Sequence, residues 1–176
     1  MGDDVVERVD EGANENQWTL HRYRYALAAG YVQPGDTVLD AACGTGYGKE
    51  ILGAHTWIGV DREAPSVEGA RAEDFNSWEP DFDYDVFVGL ETIEHIPSLD
   101  AYVAMAKRAK RTIILSTPVI PTTYFNPWHV HDFTQASIES LFVDGQWSVE
   151  HFEHQYEPEL QCDAYGIWAF TRTEQA

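Results

Sequence analysis

Residues 37–48 read Thr-Val-Leu-Asp-Ala-Ala-Cys-Gly-Thr-Gly-Tyr-Gly. The turn Gln33-Pro34-Gly35-Asp36 launches a short strand over 37–39, three glycines (Gly44, Gly46, Gly48) then break the chain, and 49–52 resume a helical pattern. A strand, a glycine turn and a helix in succession bring backbone N–H groups to a ligand at the strand's carboxyl end, the arrangement of open α/β sheets. Glycine serves here because it takes positive φ and leaves no Cβ in the way.

A dinucleotide turn has the spacing G-x-G-x-x-G, with the pyrophosphate on the helix N-terminus. Here the third position is Lys49, the spacing is G-x-G-x-G, and Asp40 stands just ahead of it. A carboxylate there repels a pyrophosphate but can orient a cationic aminoacyl group. In these residues the chain resembles the class I S-adenosylmethionine (SAM) dependent methyltransferases, whose first motif is a strand ending in Asp followed by x-x-C-G-x-G. The likeness spans residues 15–135. It implies a Rossmann-like, seven-stranded, mostly parallel sheet with helices on both faces and an antiparallel final strand. The division that follows is a flexible acidic tail at 1–13 and one compact methyltransferase domain at 14–176. Implied too is SAM as cofactor, held by Asp40, Ala42, Gly44, Gly46, Tyr47 and Arg62, with backbone contact at Leu90.

Length and composition agree with one domain: 176 residues suffice to bury a sizeable core, and 44% hydrophobic residues exclude wholesale disorder. No apolar run approaches the ~20 residues that span a bilayer. The first residues, Met1-Gly2-Asp3-Asp4, lack the basic start and apolar centre of a signal peptide. With Cys43 and Cys162 the only cysteines, no disulfide framework is expected, and the expectation is a reduced, cytoplasmic protein away from membranes. The formal charge of −19, with Lys49, Lys107 and Lys110 the only lysines, argues against a nucleic-acid partner and for a small-molecule one. An acid-rich, lysine-poor surface serves either solubility or life at high salt.

Along the chain, a helix is expected over 14–29, with Asn14 as N-cap, Gly30 as stop, and Trp18, Arg22, Tyr25, Ala26 and Ala29 on one face. Within it, His21-x-x-Arg24-Tyr25 resembles an entry helix that closes over the cofactor's carboxylate end; the alternative is a solvated Arg24 with Trp18 and Tyr25 in the core. A second strand over 56–60 ends at Asp61, which by resemblance accepts both ribose hydroxyls, a bidentate task suited to a carboxylate. The segment 62–67 contains Pro65 and is too short for the usual helix, so that crossover is trimmed. A third strand is read over 68–75, where the resemblance gives Asp74 the adenine amino group and Phe75 a backbone and ring contact. The fourth, 84–90, is a nearly continuous apolar run suited to burial on both faces.

Ser98 is the expected cap of the next helix, which buries Leu99, Tyr102, Val103 and Ala106 and places Lys107, Arg108, Lys110 and Arg111 in its last turn. The fifth strand runs over 112–116, stopped by Pro118. Thr134 caps a further helix, with Phe133 and Ile138 as a hydrophobic staple and Gly145 as its end. Strands over 147–156 and 167–171 complete the sheet.

Chemistry is expected just past the fourth strand, at Glu91-Thr92-Ile93-Glu94-His95. Were this stretch helical, Glu91, Glu94 and His95 would share a face, a plausible divalent-metal set. The loop Asn126-Pro127-Trp128-His129-Val130-His131 can bring a further histidine to the same rim, with His131 as the fourth ligand. E-x-x-E-H with a downstream histidine resembles two metal-assisted O-methyltransferase groups, the ubiquinone-pathway catechol enzymes and the small-RNA 2′-O-methyltransferases. That likeness implies a divalent ion such as Mg that lowers the acceptor hydroxyl's pKa. Without metal, His129 or His131 is the candidate general base, and Glu94 and His95 line the pocket. Asn126-Pro-x-His129 resembles a loop of sugar and small-metabolite methyltransferases, in which Tyr124, Phe125 and Trp128 would wall the acceptor pocket. The activity these residues imply is methyl transfer to an oxygen of a sugar-like or phenol-like acceptor; an RNA or protein acceptor, or a silent SAM-binding module, is the alternative.

Overall fold

Every residue of β4 (Val86–Leu90) and β5 (Thr112–Pro118) is buried, as strands covered on both faces must be. In the computed structural model, which describes residues 15–63 and 65–173, they form the middle of a seven-stranded sheet in the order β3-β2-β1-β4-β5-β7-β6. β1 (Thr37–Ala41), β2 (Thr56–Asp61) and β3 (Ala70–Ala72) run parallel to them. β7 (Cys162–Arg172) is antiparallel to both its neighbours, β5 and β6 (Trp147–Glu157). The fold is therefore the expected one: Rossmann-like, mostly parallel, with a single reversed strand.

Helices cover both faces. α1 (Glu15–Ala29) and α2 (Gly48–Leu52) press Tyr25, Ala28 and Leu52 onto Val38, Trp57 and Val88. On the other face α3 (Leu99–Ala106) and α4 (Gln135–Phe142) bury Tyr102, Met105, Ile138 and Phe142 against Phe87, Ile113 and Phe170. β1 and β4 are adjacent although two strands separate them in sequence, so the order reverses between them. The crevice at the carboxyl ends of two such strands is where open α/β sheets hold ligands.

Several local expectations are corrected. α1 buries Arg24, Tyr25 and Ala28, whereas Ala26, expected inside, is exposed. The buried stripe accommodates an arginine because its head finds partners on β6 and past β4. Ser98 occupies the N-cap of α3 but makes no side-chain cap bond, and α3 ends at Ala106, before the basic run. Those cations make tertiary pairs instead: Lys107 with Asp144, Lys110 with Asp83, and Arg111 with Asp36. Thr134 does cap α4 through a capping box with Ser137, but the helix stops at Phe142, not Gly145. There Asp144 accepts hydrogen bonds from the Gln146 and Trp147 N–H groups and turns the chain into β6. The third strand is only Ala70–Ala72, and the described residues of 62–69 form no helix. β7 starts at Cys162, five residues earlier than read. The tail at 1–13 and the Asn14 cap lie outside the described residues. Among the described residues, no helix is long and apolar enough to cross a membrane.

Candidate functional site

The glycine turn is stitched to the tip of β2. Ala42, Gly44 and Gly46 all have positive φ (57°, 58° and 82°); the alanine is the unforeseen member. Cys43 N–H donates to the Val60 carbonyl (3.0 Å) and Gly44 N–H to Asp61 Oδ2 (2.9 Å). Asp61 Oδ1 accepts from Glu63 N–H (3.2 Å). A carboxylate offers about four acceptor positions, and Asp61 lines the crevice.

Asp40 does not face that crevice. It is fully buried beneath the turn, where the Tyr25 hydroxyl (3.1 Å) and the Trp57 indole N–H (3.0 Å) donate to it. Burial pushes its pKa up to about 7 against those two hydrogen bonds. The expectation that Asp40 orients an aminoacyl group is thus corrected: it anchors α1 and β2 under the turn. Gly46 also turns away, toward Val67 and Pro65.

A cavity of about 560 Å³ opens above the switch point, within the range of small-molecule sites. Of the expected cofactor residues, Arg24, Tyr25, Ala42, Gly44, Tyr47, Asp61, Arg62, Asp74, Phe75 and Leu90 line it; Asp40 and Gly46 do not. Asp74 sits at its rim, its carboxyl held below the usual range by the Asn76 backbone N–H and side-chain amide.

Arg24 is the most constrained polar group in the wall, at 1% exposure. Its Nε donates to Gln155 Oε1 (2.7 Å), Nη1 lies 3.4 Å from Glu91 Oε1, and the guanidinium stacks 4.3 Å over the Tyr165 ring. Its Nη2 has no hydrogen-bond partner among the described residues. Beside it His21 shares a hydrogen bond with the Tyr47 hydroxyl (2.9 Å), and burial together with Arg24 pushes its pKa down to about 3, which keeps the ring neutral. Gln155 and Tyr165 were not foreseen; no local pattern marks them, since they reach the site only through the β6–β7 hairpin.

The residues after β4 form a single 3-10 turn, Ile93–His95, rather than an α-helix. Glu91, in the left-handed region at φ 49°, accepts from Ser116 Oγ (2.7 Å) and faces Arg24. Glu94, which lines the same cavity, accepts from Thr117 Oγ1 (3.0 Å), with Oε1 unpartnered among the described residues. Burial, reinforced by the charge of Glu91, holds the Glu94 carboxyl well above the usual range.

His95 Nδ1 lies 3.1 Å from the Trp128 carbonyl. A carbonyl only accepts, so Nδ1 carries the proton and Nε2 presents its lone pair. For His129, Asn126 Oδ1 accepts from Trp128 N–H, which turns Asn126 Nδ2 toward His129 Nε2 (2.9 Å). Nε2 therefore accepts, and Nδ1 donates to Thr122 Oγ1 (2.6 Å). His131 is outside the cavity, its Nε2–H donating to the Ile96 carbonyl (3.0 Å).

Glu94, His95 and His129 can bring one ligand atom each within 4.8 Å of one another. This corrects the expected metal set: Glu91 turns to Arg24, His131 to the backbone, and His129 takes the place given to His131. The unpartnered Glu94 oxygen fits a cation. One carboxylate with two imidazoles suits a softer divalent ion such as zinc or iron better than Mg, which prefers oxygen donors.

No protein-family profile matches this chain. The magnesium protoporphyrin IX methyltransferase of Synechocystis, solved with S-adenosylhomocysteine (SAH), superposes with a TM-score of 0.67 over 94% of this chain and 90% of that one, at 20% identity. The fold is that of the class I methyltransferases. The small RNA methyltransferase HEN1 shares this fold (TM-score 0.68, 20% identity, 97% of this chain, 27% of that one). In sequence, the chain is 29% identical over 160 residues to a Mycolicibacterium smegmatis protein named a probable SAM-dependent methyltransferase, covering 78% of this chain. A similarly named Mycobacterium tuberculosis protein is 30% identical over 152 residues, 74% of this chain. The chain spans 62% and 55% of the length of these two relatives.

Proposed function

We propose that the cavity binds SAM and catalyses transfer of its methyl group to an oxygen of a small acceptor. The observation that carries this reading is Asp61: a carboxylate at the tip of β2, bonded to the glycine turn and open to the crevice between β1 and β4. SAM, when bound, supplies an electrophilic methyl on sulfur. Asp61 would accept the ribose hydroxyls, Asp74 and Phe75 would receive the adenine, and the unpartnered Nη2 of Arg24 would take the carboxylate of the methionyl end. Gly44 fits a close-lying ligand, since it has positive φ and open space where a Cβ would stand.

His95 Nε2 is the base this geometry favours, ahead of His129, whose Nε2 already accepts from Asn126. It would take the acceptor's hydroxyl proton as the oxygen attacks, while the sulfur keeps the electrons of the broken bond. Relatives in fold include enzymes named for small molecules, such as a Burkholderia thailandensis didemethyltoxoflavin N1-methyltransferase, and one named for small RNA. The acidic cavity wall supports the small molecule. Incubation with methyl-labelled SAM and a panel of hydroxylated compounds tests the reading. Transfer is expected, falling about a hundredfold or more in His95→Ala, the scale of a lost general base. Lack of SAM binding would remove the assignment, and tight RNA retention on filters at low salt would overturn the choice of acceptor.

A second reading, favoured by the clustering of Glu94, His95 and His129, is metal-assisted transfer. These three residues would hold the ion, with the Asn126 amide releasing His129 Nε2 to it, and the ion would lower the acceptor's pKa. Chelation should then abolish transfer and restoring zinc, iron or manganese should recover it, whereas unchanged rates in chelator leave His95 as the base.

A further inference from the structure

The far end of the cavity contains a charge that the methyl-transfer reading leaves unused. Glu157 closes β6, is 1% exposed and lines the cavity. Its Oε2 accepts from the Gln17 side-chain amide (2.8 Å) and its Oε1 from Glu159 N–H (3.1 Å). Both donors are neutral, and no arginine, lysine or histidine among the described residues pairs with it. A buried carboxylate is costly unless an opposite charge compensates it.

Two further observations extend this point. The unpartnered Oε1 of buried Glu94 lines the same cavity. Seven carboxyl groups line the cavity against two guanidiniums, and Arg24 is engaged by Glu91, Gln155 and Tyr165. An anionic acceptor would meet a wall richer in acids than in bases. The rim here is apolar and open: Phe125, Trp128 and Leu160 line the cavity yet remain close to half exposed.

We infer that the acceptor carries an ammonium group that seats on Glu157, while its apolar or aromatic body lies against Phe125, Trp128 and Leu160. The inference rests on the cavity being the methyl-transfer site and adds the acceptor's charge. Gln17 and the Glu159 N–H act as positioning groups, holding both carboxylate oxygens so that their remaining lone pairs face the cavity.

Three probes share one phenol and differ in charge: tyramine (cationic), 4-ethylphenol (neutral) and 3-(4-hydroxyphenyl)propionate (anionic). Calorimetry at low salt, on the protein with and without SAH, should show tyramine binding about tenfold or more tighter than 4-ethylphenol, as a charge-assisted hydrogen bond provides. The propionate should bind weakest. In Glu157→Gln, nearly isosteric, the three affinities should converge to within about twofold, with SAH affinity unchanged. Equal affinities in the wild type, no tyramine binding, or a preference that survives the substitution would each overturn the inference. Should Glu157→Gln not fold, the wild-type ranking decides. A flat series on protein that binds SAH sinks only the ammonium site, while absent SAH binding sinks the transferase reading itself.

Discussion

Asp61→Ala is expected to weaken SAM binding by about a hundredfold to ten-thousandfold while the domain stays folded. The proposed contact is a pair of hydrogen bonds from the ribose hydroxyls to a carboxylate, each worth about 1.5–3 kcal/mol when the acceptor is charged. Losing both costs about 3–6 kcal/mol, and every 1.4 kcal/mol is tenfold in affinity. Asp61 also accepts from the Gly44 N–H at 2.9 Å, so alanine releases the glycine turn as well. Asp61→Asn separates the two roles. Its amide oxygen can still accept from Gly44, but it has one acceptor atom and no charge, so an intermediate loss is expected. Calorimetric titration with SAM, beside circular dichroism to verify folding, measures both. Affinity unchanged in Asp61→Ala would mean that the ribose lies elsewhere, and the placement of adenine at Asp74 and Phe75 would go with it.

The parts of this molecule that sequence reveals are those whose cause is local. β4 and β5 are continuous apolar runs, and the turn at 42–48 needs glycine at φ 58° and 82° whatever surrounds it. The capping box of Thr134 lies within four residues. What sequence conceals is decided by contacts distant along the chain. Arg24 reads either as a residue closing over the cofactor or as a solvated charge until Gln155 and Tyr165 arrive from the hairpin to hold it. Asp40 has the motif position of a ligand-facing acid, yet the indole of Trp57 and the hydroxyl of Tyr25 draw it underneath. The two histidines of the 126–131 loop are equivalent by pattern. Only the fold distinguishes them, setting His129 against His95 with ring centres 4.7 Å apart and giving His131 to the Ile96 carbonyl. The spacing of Glu91, Glu94 and His95 suggests one helical face, but with the positive φ at Glu91 and the 3-10 turn after it the two glutamates take different partners, Ser116 and Arg24 for one and Thr117 for the other.

The second large effect concerns Gly48, whose role is steric rather than conformational. A Cβ built there would lie 2.2 Å from Cε1 of the Tyr25 ring and 2.5 Å from Cζ, far inside contact distance. Tyr25 cannot yield easily, because it is buried, its hydroxyl donates to Asp40, and its ring packs edge-on against Tyr47 at 5.2 Å. Gly48→Ala must therefore push α1 off α2 or break the Tyr25–Asp40 bond. Overpacking of this kind costs about 1–3 kcal/mol, and the lost hydrogen bond to a buried acid adds about 1–2 kcal/mol. For a domain of this size, the melting temperature should drop by about 4–20 °C. SAM affinity should fall too, since Arg24 and Tyr25 move with α1 and Tyr47 packs against Tyr25. Alanine is otherwise the better helix former, so a neutral or stabilising result would show that the ring has room and that α1 is not held against the turn. A double substitution completes the argument: Gly48→Ala with Tyr25→Leu removes the obstructing ring, and the pair should destabilise by less than the sum of the two single changes, the mark of residues in direct contact.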